Sequence, residues 1–185
     1  MDALTLASTC GPGVDPVTTA AIMKLESGYE PLVIRDNTLK LTIHPRSVEV
    51  ANATVRTLIG QRHRLAIGLM QVTTPWTDRL NVYPSVLLDA CTNVRIGTWI
   101  LREAYQACPR SGGGKATLEC ALSAYWAGDG RIGGAYVNAI YATSKSPFRI
   151  PETAGVTDGL LGSAISRTAI RGRTGPARGF DFGRR

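Results

Sequence analysis

Apolar residues recur at spacings of three and four along most of the chain, which predicts a mainly helical fold. Asp15–Pro16 reads as a helix start, an N-cap acid followed by proline in the first turn. Val17, Ala21 and Leu25 then repeat at helical spacing with Ile22 beside them, and Gly28 is placed to end the helix. The pattern next switches to short extended runs, Val33–Arg35 and Leu39–Ile43, around Asp36–Asn37. Alternation of Leu39, Leu41 and Ile43 predicts a half-exposed hairpin. Ser47 caps a helix to Ile59, with Val48, Ala51, Val55 and Leu58 or Ile59 on one side and Gly60 at its close. After the loop Gln61–Arg64 comes the segment AIGLMQV. Asp89 caps a long helix to about Tyr105, its face formed by Val94, Thr98, Leu101 and Tyr105, widened by Ile100. Another runs from Ala116 to about Ala127 on Leu118, Ala121, Leu122 and Tyr125, and Gly128 ends it. A last one, near Gly134–Thr143, carries Tyr136, Val137 and Ile140. No internal repeat is seen.

From about Gly155 glycine, serine, threonine and arginine dominate, and the chain closes on GPARGFDFGRR. This reads as a flexible basic tail, 155–185, behind one domain, 1–154. The chain has 185 residues, 44% hydrophobic and 19% charged, which suits a single globular domain. No run approaches the ~20 apolar residues of a membrane span, so stable membrane insertion is not expected. Met1–Asp2 followed by a short apolar run departs from the basic-then-apolar layout of a secretory leader. The expectation is that a leader has been removed or that export follows another route.

The net charge of +7 suits an anionic partner. Lys and Arg are scattered outside the tail, with no basic stretch interleaved with aromatics, so nucleic-acid binding is not expected. The cysteines, Cys10, Cys91, Cys108 and Cys120, form no CxxC pair, and His44 and His63 sit far from them, so a metal site is not expected. Disulfides in an oxidising compartment are the better reading, with four free thiols as the alternative. Bridging Cys108 to Cys120 would staple the Gly-rich loop Ser111–Gly114 and leave Cys10 with Cys91; the pairing stays open.

Glu26, in LESGYEP, lies in the last turn of its helix, near Ile22 and Met23. The helix dipole and the apolar neighbours both favour the neutral acid there. Glu30 and Asp36 follow, and each is a conceivable second carboxylate, but both read as solvent-exposed loop charges.

Four segments in order, LESGYEP at 25–31, AIGLMQV at 66–72, LSAYWAG at 122–128 and AYVNAI at 135–140, resemble lytic transglycosylases of the soluble-lytic type, which share a fold with goose-type lysozyme. Closer still is the resemblance to the VirB1 family of specialised transglycosylases. It covers Cys10 to Ile140 and includes the DACTNVRIGTWIL segment, like that family's C-x-N helix. The resemblance implies a lysozyme-like α+β fold with a small hairpin insertion, and cleavage of peptidoglycan between N-acetylmuramic acid and N-acetylglucosamine with a 1,6-anhydro product. It implies no cofactor, a monomer, a periplasmic or secreted location, and partners in a type IV secretion or conjugation machine. Glu26 matches the catalytic acid and Ser27 the serine that holds the acid or the substrate acetamide. Gly68, Leu69, Met70 and Gln71 match the substrate-side segment, with Gln71 bonding substrate. Tyr125 and Tyr136 match tyrosines around the acid. Two positions depart: where the family reads Ala-Tyr-Asn-Ala-Gly, this chain has Trp126, which can stack on a sugar face or fill part of the groove, and Thr73 stands where an asparagine commonly follows Gln-Val or Gln-Ile. A lysozyme-like hydrolase and a weakly active glycan-binding assembly factor are the rival readings.

Overall fold

A computed structural model describes residues 2–144. The predicted tail, 155–185, and its boundary with the domain lie outside the described residues. Seven α-helices and four short strands follow in the order α1 (Ala3–Cys10), α2 (Pro16–Ser27), β1 (Ile34–Asp36), β2 (Leu41–Ile43), α3 (Val48–Gly60), β3 (Leu65–Ile67), β4 (Val72–Thr73), α4 (Thr74–Leu80), α5 (Ala90–Ala107), α6 (Gly113–Ala127) and α7 (Gly134–Ser144). A 3-10 helix, Pro84–Leu88, precedes α5. The class is the mainly α one with a small sheet that the sequence predicts.

Capping chemistry sets most helix starts. Asp15 accepts from the N–H groups of Val17 and Thr18, Ser47 from Val50, and Asp89 from Thr92. Each bond satisfies a donor that the first helical turn leaves open. Asp2 does the same for α1, accepting from Leu4 and Thr5, a helix the periodicity did not reveal because it has only eight residues.

The predicted hairpin is one half of a larger sheet. All pairs are antiparallel in the order β2-β1-β3-β4. Ile34 lies opposite both Ile43 and Ile67, and Asp36 opposite both Leu41 and Leu65. β3 is buried at every residue, so it shows no alternation by which a strand could be read. The predicted alternation in the hairpin meets the core only at Ile43, which is half-buried, while Leu39 and Leu41 are exposed.

The core is shared by α1, α2, α5, α6 and α7 on one side and the sheet on the other, with Ile22, Met23, Ile67, Met70, Leu101 and Leu122 fully buried. α2 departs from its predicted stripe. It is buried from Thr18 through Met23, whereas Leu25 is 38% exposed. The buried face runs instead through Ile22 and Met23 to Glu26.

Two disulfides tie the helices. Cys10–Cys91 joins the end of α1 to the start of α5 across 81 residues, and Cys108–Cys120 closes a 12-residue separation around the Gly-rich loop. Loop-closure entropy ranks them. Replacing Cys10 and Cys91 with serine is expected to cost about 4–5 kcal/mol, and the same change at Cys108 and Cys120 about 3 kcal/mol, in urea unfolding. Dithiothreitol is expected to lower the melting temperature of the native protein and leave the doubly substituted form of both pairs unmoved.

Candidate active site

Glu26 occupies the last turn of α2 and is only 5% exposed. Gly28, at φ 62°, turns the chain left-handed and closes the helix, with its N–H bonded to the Lys24 carbonyl at 3.0 Å. A side chain there would raise the cost of that turn, which glycine does not incur. Ser27 then reaches two backbone carbonyls, Met23 and Leu69, each at 2.9 Å. A hydroxyl has one proton, so it donates to one of them at a time. Either way Ser27 fastens the end of α2 to the segment after β3. Arg35, from β1, donates to the Glu26 carbonyl at 3.4 Å and holds the same helix end from the sheet.

The segment Gly68–Gln71 is a tight turn between β3 and β4. Gly68 and Gln71 both have positive φ, 76° and 49°, and the Gln71 N–H bonds the Gly68 carbonyl at 3.1 Å. Gln71 is fully buried, and its amide nitrogen donates to the carbonyls of Gly68 at 3.0 Å and Val33 at 3.4 Å. Those bonds offset the left-handed backbone, of order 1–2 kcal/mol for a residue with a Cβ. The matched Gln71 side chain is thus engaged inside the turn. Met70 is also fully buried and Leu69 nearly so, and they meet the site through their main chain. The Leu69 carbonyl receives Ser27, and the Met70 carbonyl receives the Tyr125 hydroxyl at 2.7 Å.

The reason for glycine at 68 is a neighbour that sequence reasoning missed. A Cβ there would lie 2.3 Å from the Asn93 amide nitrogen and 2.6 Å from the Leu87 carbonyl. Asn93, on α5, is fully buried and makes three bonds. Its nitrogen donates to Ile67 at 2.8 Å and Leu87 at 2.9 Å, and its oxygen accepts from the Met70 N–H at 2.8 Å. The signal was an amide two positions after Cys91, on the buried face of an apolar helix.

α6 and α7 deliver the aromatic side. Tyr125 and Tyr136 are buried, while Trp126 is 40% exposed and stacks on Tyr136 with ring centroids 5.8 Å apart and planes 16° apart. Ser123 ties α6 to the connection that leads into α7: its hydroxyl donates to the Asp129 carbonyl at 2.6 Å and accepts from the Gly133 N–H at 2.7 Å.

The other two acids near the helix end part ways. Glu30 is exposed and pairs with His44 at 2.5 Å. Asp36, expected to be exposed, is fully buried: the sheet covers it and His63 closes over it. Nδ1 of His63 donates to Oδ2 at 2.6 Å, and the N–H groups of Thr38 and Leu39 donate to Oδ1. Burial pushes the Asp36 carboxyl up, but the His63 and backbone hydrogen bonds together outweigh it and hold the group below its usual value. Asp36 is therefore a structural anion. Of the buried carboxyl side chains among the described residues, Glu26 is the one in the last turn of a helix, next to Ser27, which reaches the Gly68–Gln71 turn. A carboxyl so placed can give and take a proton at a reacting oxygen.

Over residues 4–145 the chain matches the Transglycosylase SLT domain family. It is 33% identical over 123 residues to Protein virB1 of Agrobacterium fabrum, covering 66% of this chain and 50% of that protein. Against Protein virB1 of Rhizobium radiobacter it is 34% identical over 124 residues, 67% of this chain and 52% of the relative. Against the Type IV secretion system protein virB1 of Brucella abortus it is 30% identical over 128 residues, 68% and 54%. The chain spans about half the length of these relatives. No solved structure matches it.

Two outcomes test this construction. Asn93→Leu strips the Met70 N–H of its acceptor and two carbonyls of their donor, and is expected to cost about 3–5 kcal/mol in urea unfolding. For Asp36, whose usual value is 3.8, the sign follows from a folded value below it. Its stabilising contribution is complete above about pH 4 and is lost as the pH falls through the lower folded value. The stability gap between wild type and His63→Gln is thus expected to shrink as pH drops below about 4, as read by urea midpoints.

Proposed function

The chain belongs to the Transglycosylase SLT domain family, and from that premise we propose that it cleaves peptidoglycan glycan strands as a lytic transglycosylase. In this reading Glu26 is the sole proton shuttle. It gives its proton to the glycosidic oxygen between N-acetylmuramic acid and N-acetylglucosamine as the C1–O bond breaks. The resulting carboxylate then takes the proton of the sugar's own O6 hydroxyl, which attacks C1 and closes the 1,6-anhydro ring. No water is consumed. The N-acetyl group beside C1 stabilises the positive charge in between.

The observation that carries the reading is Glu26 itself: nearly buried, at a helix end that Ser27 pins to the turn Tyr125 also grips and that Arg35 holds from the sheet. A two-carboxylate hydrolase would need a second acid facing the sugar. Asp36 is buried under His63, and Glu30 is paired with His44 outside the core, which favours the one-acid route. Trp126, exposed and stacked on Tyr136, offers a ring for a sugar face. It also supports the second reading, a glycan-binding assembly factor with little turnover.

The Brucella abortus relative is named a type IV secretion system protein. The partner proposed here is accordingly such a machine, for which the enzyme opens the wall locally in the periplasm. Two disulfides suit that oxidising compartment. No helix among the described residues is long and apolar enough to cross a membrane.

Mass spectrometry of products from purified peptidoglycan tests the assignment. Wild type is expected to release anhydro-muropeptides, and Glu26→Gln to lose at least ~100-fold in rate at nearly unchanged melting temperature. Reducing-end products would mean hydrolysis, and undiminished release by the variant would remove Glu26 from the role. Trp126→Ala is expected to weaken glycan binding about 2- to 10-fold, the worth of one aromatic contact, with turnover at saturation held within about twofold.

A further inference from the structure

A recess lies at the end of β3 away from the Gly68–Gln71 turn. One end of that strand, Ile67, leads into Gly68 and the turn that meets Ser27; the other end, Leu65, is preceded by Arg64, which lines a cavity of about 630 Å³. That volume falls within the ~300–1,000 Å³ of small-ligand sites. The recess is walled by the 61–64 turn with Ile59 on one side, and by α4 and the 81–84 segment on the other.

Its lining divides by chemistry. Tyr83, 48% exposed, and Pro84 give an apolar wall, continued by Val82. Arg62 and Arg64 both line the recess, and among the described residues neither is engaged by an ion pair. Asp78 is the one acid among the residues that line the recess. The turn that carries the arginines is built rather than loose. Its backbone is tied to α3 by His63 N–H to Leu58 and Arg62 N–H to Ile59, both at 2.9 Å. It is tied to the hairpin by Asn37 N–H to the Arg64 carbonyl at 2.8 Å and Arg64 N–H to the Thr38 hydroxyl at 2.9 Å. The His63 ring, which also lines the recess, is fixed on Asp36. Little further ordering of that backbone is needed when a ligand arrives.

We propose that this recess is a second ligand site, separate from Glu26, that takes a short peptide ending in a free carboxylate. The carboxylate sits between Arg62 and Arg64, whose planar forks match it in charge and geometry. The peptide's side chains lie on Tyr83 and Pro84, and a basic residue one or two positions back from the terminus finds Asp78. A bare phosphate would engage the arginines and leave the apolar wall unused, which is why a peptide is the better occupant. The proposal stands on the recess alone and does not require glycan cleavage.

Amide-resolved NMR on the full ¹⁵N-labelled chain tests it with three probes: acetyl-Lys-Ala-Ala with a free carboxylate, the same peptide as its C-terminal amide, and sodium phosphate. The free acid is expected to shift residues 61–64 and 81–83 saturably and to bind at least ~10-fold more tightly than either of the others. The pair Arg62→Asn and Arg64→Gln is expected to abolish that difference; asparagine is chosen because Arg62 has φ 63°, which it tolerates. Glu26→Gln is expected to bind like wild type. Equal binding of acid and amide, phosphate as tight as the acid, or shifts confined to residues 26–29 and 125–136 would each overturn the site. The comparison of acid with amide uses the unaltered protein, so it decides the matter even if the double variant misfolds. A negative result leaves the test of Glu26 intact.

Discussion

One buried amide organises the centre of the molecule. Asn93 gives both its donor directions to main-chain carbonyls and its acceptor to a main-chain N–H, so none of its polarity is wasted in the core. Two of those bonds fall on the chain either side of Gly68–Leu69, at Ile67 and Met70. They fix a turn that two short strands could not hold alone. From there the order spreads through three successive main-chain groups. The Leu69 carbonyl takes Ser27 from α2, the Met70 N–H gives to Asn93 of α5, and the Met70 carbonyl takes Tyr125 from α6. Three helices thus register on one turn, and Glu26 inherits its position from that registration. The Cys10–Cys91 bridge lies two residues before the amide, so the helix start that carries Asn93 is itself anchored to α1.

The motif residues therefore work differently from the way their letters suggest. In Gly68–Gln71 the side chains are spent on the turn and the core, and the main chain faces the neighbouring helices. Gly68 is required by the atoms of Asn93 and Leu87, where a methyl group would overlap both. The acids show a similar division. Asp36 is surrounded by three hydrogen-bond donors and ties the hairpin to the 61–64 turn, whereas Glu26 carries its carboxyl at a helix end among apolar residues.

Local signals were legible wherever a helix could be decided by its own first and last turns. Asp15, Ser47 and Asp89 cap as their residue types predict, and Gly28 and Gly128 end helices in the left-handed conformation. What escaped was set by contacts distant in sequence. β3 pairs with β1 some thirty residues earlier, Ile34 with Ile67, and its wholly buried run carries no period. α1 and α4, with 8 and 7 residues, span too few turns to show a stripe. Asp36 looked like a loop charge because its partner, His63, is 27 positions away. The candidate site was legible as four ordered segments, but Asn93, which holds the 66–72 segment at both Ile67 and Met70, sat in a segment noted only for its likeness.

Trp126 follows from the same geometry. On a helix, successive side chains point about 100° apart. With Tyr125 turned inward to bond Met70, the next position is carried toward the rim, where Trp126 is found 40% exposed. An amide at the rim can be satisfied by water or ligand, and so can an indole N–H. The exchange of one for the other therefore leaves no buried group without its bond, and the Tyr125–Met70 contact beneath is preserved. What changes is the exposed surface: an aromatic face backed by Tyr136 in place of a small polar group. The departure from the family thus changes the exposed surface at Trp126 and leaves the Tyr125–Met70 bond beneath it as it was.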